Sequence, residues 1–174
     1  MAKTIDKAID ELLKDYENII VKAAEYATSE VCKEVYQYAM TCLEAYYDNY
    51  DPSSYDRTDY LWHAILPYAE KPRIVGDNVV STVGVEYDSS KLDKIYSSNA
   101  SEQYQPVDGH WVLYNYLHGI HPTTNGGRSP ETAVYIQVID DEAPWDKMRR
   151  YLKNDVPERF KSNLYVYFLK NLKA

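Results

Sequence analysis

Three histidines, His110, His118 and His121 in GHWVLYNYLHGIHPTT (109–124), lie within a dozen residues of one another and could hold a metal or carry a proton. His110 and His118 are eight residues apart, about 12 Å along a helix axis. His118 and His121 straddle the helix end that Gly119 and Pro122 predict. Helical zinc sites use an i, i+4 pair with a third ligand, often beside a positioned Glu, and neither HExxH nor CxxC occurs here. The stretch reads instead as an elbow whose imidazoles cap carbonyls and pack.

The other nucleophilic and acidic groups are no better arranged for chemistry. The chain has no GxSxG, no GxxxxGK[ST] and no GxGxxG following a strand. NGG at 125–127 is a turn, and Asp140, Asp141 and Glu142 supply favourable charge to the N-terminus of a helix beginning at Pro144. Cys32 and Cys42 lie ten residues apart in a helical stretch, about 15 Å, beyond disulfide reach, which suits a reducing compartment. No catalytic, cofactor-binding or metal-ligating residue is assigned, and no cofactor or enzymatic activity is expected.

The elements that would position any site begin with a helix over 4–48. Apolar or small residues recur at Ile5, Ile9, Leu12, Tyr16, Ile19, Ala23, Ala27, Val31, Val35, Tyr38, Cys42 and Ala45, about 3.6 residues per step, with no Gly or Pro between them. Thr4 is the expected N-cap and DNYDPSS the stop. Such a helix runs about 65 Å, whereas a compact domain of this size is about 40 Å across. It must bend near Ala27-Thr28-Ser29 or project onto another chain, and the wet stripe a lone monomer would leave favours projection.

A short helix over 57–66 follows, ended near Pro67. A β-hairpin over 72–88 comes next, with GDN as its turn and 72–75 paired with 78–87. One helical turn is expected at SKLDKIY, a helix over 109–118 capped by Asp108, and a third strand or buried helical turn at ETAVYIQVID. Helices over 144–172 close the chain, with Phe160, Leu164, Tyr167, Phe168 and Leu172 along one side. The fold class expected is α+β in a single domain over 1–174.

Charge is distributed unevenly. Of a net −8, residues 1–50 contribute −5, residues 51–144 −8 and residues 145–174 +5. The acidic bulk argues against specific nucleic-acid binding, which needs a broad basic face, and the basic end suits an acidic protein surface in this subunit or a neighbour. No apolar run is long enough for a membrane span, and the charged start MAKTIDKAIDELL is unlike a signal peptide. Nineteen Tyr against two Phe suit half-buried positions, whether subunit interfaces or shallow core.

Three stretches carry a resemblance: PSSYDRTDYLWHA (52–64), VVSTVGVEYD (79–88) and WVLYNYLHGIHPTT (111–124). Their order resembles the tail-component family of long-tailed bacteriophages and prophages, described as tail-completion, neck or head–tail joining proteins. The family's Glu-x-Gly-Thr after the hairpin is absent, and the helical tail beyond residue 144 is longer. The resemblance implies a long N-terminal helix packed on a small antiparallel β-sheet, with additional C-terminal helices. It also implies a structural virion protein, made in the host bacterial cytoplasm and arranged as a homo-oligomeric ring at the neck with other neck or tail proteins. Tyr55, Arg57, Leu61, Trp62 and Gly84 are then structural, and Gly119 and Pro122 set the elbow. The rival reading is a small adaptor or regulatory module that binds a partner through its basic C-terminal helices.

Overall fold

The computed structural model describes residues 2–48, 61–92, 113, 114, 116–122, 135–138 and 142–171. Helix α1 runs unbroken from Ala2 to Asp48. It starts two residues before Thr4, which therefore lies inside the first turn rather than at the N-cap. The low-propensity triplet at 27–29 produces no break. Thr28 is buried, and its hydroxyl donates to Ser81 Oγ at 2.8 Å, which in turn donates to the Glu70 carbonyl at 3.2 Å. The polar residue in the helix interior is therefore a tie to the β region.

The segment expected as helix over 57–66 is described only from residue 61, and its last two residues are strand. Its described part is a single turn, α2 (Leu61–Ala64), followed directly by strand β1 (Ile65–Ala69). Tyr55 and Arg57 lie outside the described residues. Pro67 sits within β1 opposite Val85, a position open to proline in a two-stranded ladder, where a missing N–H is tolerated at an edge.

Strands β2 (Arg73–Val75) and β3 (Asn78–Val80) form the expected tight turn, Val75 facing Asn78 across Gly76-Asp77. Gly76 has φ +60° and no non-glycine residue among those described has positive φ, the combination a II′ turn requires. The second limb differs from expectation. Strand β4 (Val83–Tyr87) pairs with β1 rather than β2, from Ile65 opposite Tyr87 to Ala69 opposite Val83. The hairpin is thus longer than 72–88 and nests one ladder inside another. Glu70 N–H donating to the Thr82 carbonyl at 2.9 Å extends the outer ladder toward the inner one.

Ser90–Leu92 form the helical turn expected near SKLDKIY, with Asp88 Oδ1 accepting from the Ser90 amide at 3.1 Å. A further antiparallel pair joins β5 (Ile120–Pro122) to β6 (Tyr135–Val138), with its register interrupted between His121 and Pro122. ETAVYIQVID therefore contains a strand. Helices α3 (Pro144–Asn154) and α4 (Val156–Asn171) end the described chain. They break at Asp155 because Pro157 has no N–H to donate back to Lys153.

The result is an α+β fold organised on α1, against which β1, β4, α3 and α4 all pack. Its core joins Val31, Val35, Ala39, Leu43 and Tyr46 of α1 to Leu61, Ile65, Leu92, Leu113, Tyr116 and Met148. Half of the described tyrosines serve this core. Tyr116 is fully buried and meets the Tyr46 ring edge-on at 5.3 Å, and Tyr38 stacks on Tyr151 at 4.1 Å.

Candidate interaction surface

Helix α4 runs antiparallel to α1. Arg159 pairs with Glu34 at 3.7 Å and Asn163 Nδ2 donates to the same carboxylate at 3.4 Å. Further along, Tyr167 packs on Tyr26 at 5.7 Å and Lys170 Nζ lies 5.6 Å from the centre of the Tyr26 ring. Contacts thus step back from residue 34 of α1 to residue 26 as α4 advances, and α4 ends near the point where burial of α1 ends. Ala23 is fully buried, whereas every residue from Asp10 to Ile20 is exposed. Residues 2–22 therefore form an arm about 30 Å long.

The arm is not polar all round. Leu12, Leu13, Tyr16, Ile19 and Ile20 are 43–65 % exposed and fall on one side of the helix. Expectation had named Leu12, Tyr16 and Ile19 but missed Leu13 and Ile20, which form a second row four and seven residues after Ile9 and Leu13. That signal was present in the spacing, and it widens the stripe from a narrow seam to a broad face. Exposed apolar faces of this kind are the class of surface on which proteins associate.

Its margins are acidic. At 3.6 residues per turn, Asp15 falls along one edge of the stripe with Lys22 and Glu11 beside it, and Asp10 and Glu17 along the other, while Lys7 and Lys14 fall on the opposite side. Lys7 and Glu11 form an i, i+4 pair at 3.7 Å, worth a few tenths of a kcal/mol in such an exposed position.

The basic C-terminal helices present the opposite chemistry. Trp145, Arg149 and Lys153 follow one another at i, i+4 and i+8 of α3 and are all exposed, and Tyr165 and Leu169 are exposed one turn apart on α4. Arg150 pairs with Glu142. The other side of the pair belongs to the core: Met148 and Pro144 are buried, and Tyr151, Leu152, Val156 and Phe160 pack beside them. Phe160, Leu164, Tyr167 and Phe168 are half-buried as their spacing predicted, and Leu172 lies outside the described residues.

His118 Nδ1 lies 2.8 Å from the Tyr114 carbonyl, an acceptor only, so Nδ1 carries the proton, and the imidazole stacks on Tyr114 at 4.1 Å. Gly119 has φ +63°, the left-handed residue that ends a helix, with Pro144 and Ala143 in ordinary contact range of any added Cβ. Pro122 lies in β5. His110 falls outside the described residues, as does the side chain of His121. Among the described residues no group of three or more His, Cys, Asp or Glu could hold a metal.

Of the remaining structural positions, Leu61 is buried in the core and Trp62 stacks on Tyr47 at 6.4 Å. Gly84 lies opposite Tyr68 with open space where a Cβ would stand, so no close approach demands glycine there. Cys42 is buried, and Cys32 is half-buried with its thiol donating to the Tyr68 carbonyl at 3.5 Å; burial pushes the Cys32 thiol pKa up, away from thiolate chemistry. Burial also pushes the Tyr87 phenol up to about 12 and Tyr116 higher still, with Cys42 adding to both and Tyr87 to Tyr116. Tyr87 Oη is buried with no hydrogen-bond partner.

No family model matches the chain, and no curated protein or solved structure is significantly similar to it. Among the described residues no helix is long and apolar enough to cross a membrane.

Proposed function

We propose that the chain is a structural assembly subunit whose arm docks on another polypeptide, and that its setting is the neck of a tailed phage or prophage particle, in tail completion or head–tail joining. The observation that carries the first half is the wide apolar stripe of Leu12, Leu13, Tyr16, Ile19 and Ile20 on the segment of α1 that no other described element covers. The three stretches at 52–64, 79–88 and 111–124 support the second half by their resemblance to tail components. In that setting the subunits form a ring, contact other neck or tail proteins and bind no specific nucleic acid. The acidic bulk suits the lining of a DNA passage without gripping phosphates.

The adaptor reading loses ground to the packing of α3 and α4. A detachable binding tail would leave the fold intact when removed, whereas these helices close the core through Met148. The test is electron cryo-microscopy of the parent particle together with a mutant gene lacking codons 2–20. Density for the chain at the head–tail junction, and unjoined heads and tails in the mutant, is the expected result. Joined, infectious particles from the mutant, or a particle without the chain, overturns the proposal.

A further inference from the structure

We infer that the arm of one copy docks on the exposed face of the C-terminal helices, α3 and α4, of a second copy, so that subunits join head to tail. Charge selects this occupant. The stripe is bordered by Asp15 on one margin, with Lys22 and Glu11 beside it, and by Asp10 and Glu17 on the other, with Lys7 and Lys14 at the back. Two arms laid against each other would bring acidic margin to acidic margin, and like charges so placed repel. A suitable acceptor is apolar or aromatic with basic groups beside it.

The chain itself carries such an acceptor. Trp145, Arg149 and Lys153 run along the exposed side of α3, and Tyr165 and Leu169 stand exposed on α4. Trp, Tyr and Arg are also the residues in which binding energy concentrates at protein interfaces. Residues 145–174 have a net charge of +5, and although residues 2–22 sum to only −1, their carboxylates Asp15 and Glu17 stand nearest to the stripe by helical position. The two surfaces therefore complement each other in sign as well as in polarity.

A subunit's own arm leaves the body where α4 ends, so it points away from its own acceptor, and the contact is made in trans. Each subunit holds one arm and one acceptor face, and such unlike contacts generate a ring when the rotation closes.

The test mixes two disabled full-length variants, followed by size-exclusion chromatography with light scattering and by sedimentation velocity. One keeps its arm and loses the acceptor face (R149E/K153E/L169E). The other keeps the face and loses the arm's stripe (L13K/I20K). All five side chains are exposed, so both variants fold, which circular dichroism checks. Wild type forms oligomers, each variant alone associates at least ten-fold more weakly, and the mixture stops at a complex of two. Wild type that is monomeric at ~100 µM overturns the inference. So does an R149E/K153E/L169E variant that still pairs with itself, the outcome expected of arm-to-arm contact.

The inference rests on reading the chain as an assembly subunit, yet the two fail separately. A chain seen at the head–tail junction whose oligomers ignore both variants overturns the docking alone. A head-to-tail oligomer that never enters particles overturns the tail role alone.

Discussion

The two halves of α1 carry apolar stripes of different build, to opposite ends. From residue 23 to 46 the buried positions are mostly small or β-branched, Ala23, Ala24, Ala27, Thr28, Val31, Val35 and Ala39, and they let neighbouring strands and helices approach the backbone closely. From residue 10 to 20 the apolar positions are large, Leu, Tyr and Ile, and nothing described lies over them. Small side chains suit a contact already made within the chain. Large half-exposed ones suit a contact still to be made, since burying each is worth about 1.5 to 3 kcal/mol.

The largest expected contrast comes from cutting each region away. Ending the chain before Pro144 removes Met148 and Phe160 from the core and abolishes cooperative thermal unfolding, and Met148→Ala alone costs about 2–5 kcal/mol by urea titration. Deleting residues 2–20 shifts the stability of the body by less than about 1 kcal/mol, because none of the arm's described side chains enters the core. A matching loss from both deletions breaks the comparison.

Alkaline pH separates the regions next. Tyr87 and Tyr116 have raised phenol pKa values, whereas the unfolded chain releases these protons near pH 10. The folded state binds them more tightly, so their stabilisation is complete below about pH 10 and drains away as pH rises through about 12, by about 1.4 kcal/mol per unit for each such group. Absorbance at the phenolate band, followed with circular dichroism, should show two tyrosines that ionise only as the body unfolds. The same late titration in Tyr87→Phe would contradict the assignment of one of them.

Gly119→Ala probes the elbow, where a left-handed φ makes a side chain cost about 1–2 kcal/mol. Gly84→Ala, in open space, should cost far less. The smallest effect on folding belongs to the arm: Leu13→Lys with Ile20→Lys changes the unfolding free energy by within about 0.5 kcal/mol while disabling association.

Much of this division could be read from the chain before any coordinates. The 3.6-residue stripe without Gly or Pro specified α1, and its length against the width of a compact domain left a bend near 27–29 or a projecting end, with the wet stripe favouring the second. The Gly76-Asp77 turn was equally plain, as were the two C-terminal helices on either side of Pro157. The failure lay at Leu61–Ala69. LWHAILPYA is a short apolar run that suits a helical turn and a strand alike, and Pro67 was taken as a helix stop. What makes 65–69 a strand is its pairing with Val83–Tyr87, a contact some twenty residues away that local pattern cannot express.

The interaction surface was legible only in part. Net charge revealed that the two chain ends oppose each other. That acids border the stripe, with Lys7 and Lys14 behind it, became meaningful only once the exposed face was known. The acceptor candidates Trp145, Tyr165 and Leu169 look like core residues in sequence, and only packing shows that they are left outside.

Amide hydrogen exchange on the wild-type chain, read separately over residues 7–20 and 23–46, tests the central claim most directly. In dilute, monomeric protein the account predicts protection near the global limit for 23–46 and fast exchange for 7–20, with the arm becoming protected only on assembly. Equal protection of both halves in the dilute monomer, or an arm that still exchanges freely in the oligomer, would contradict it.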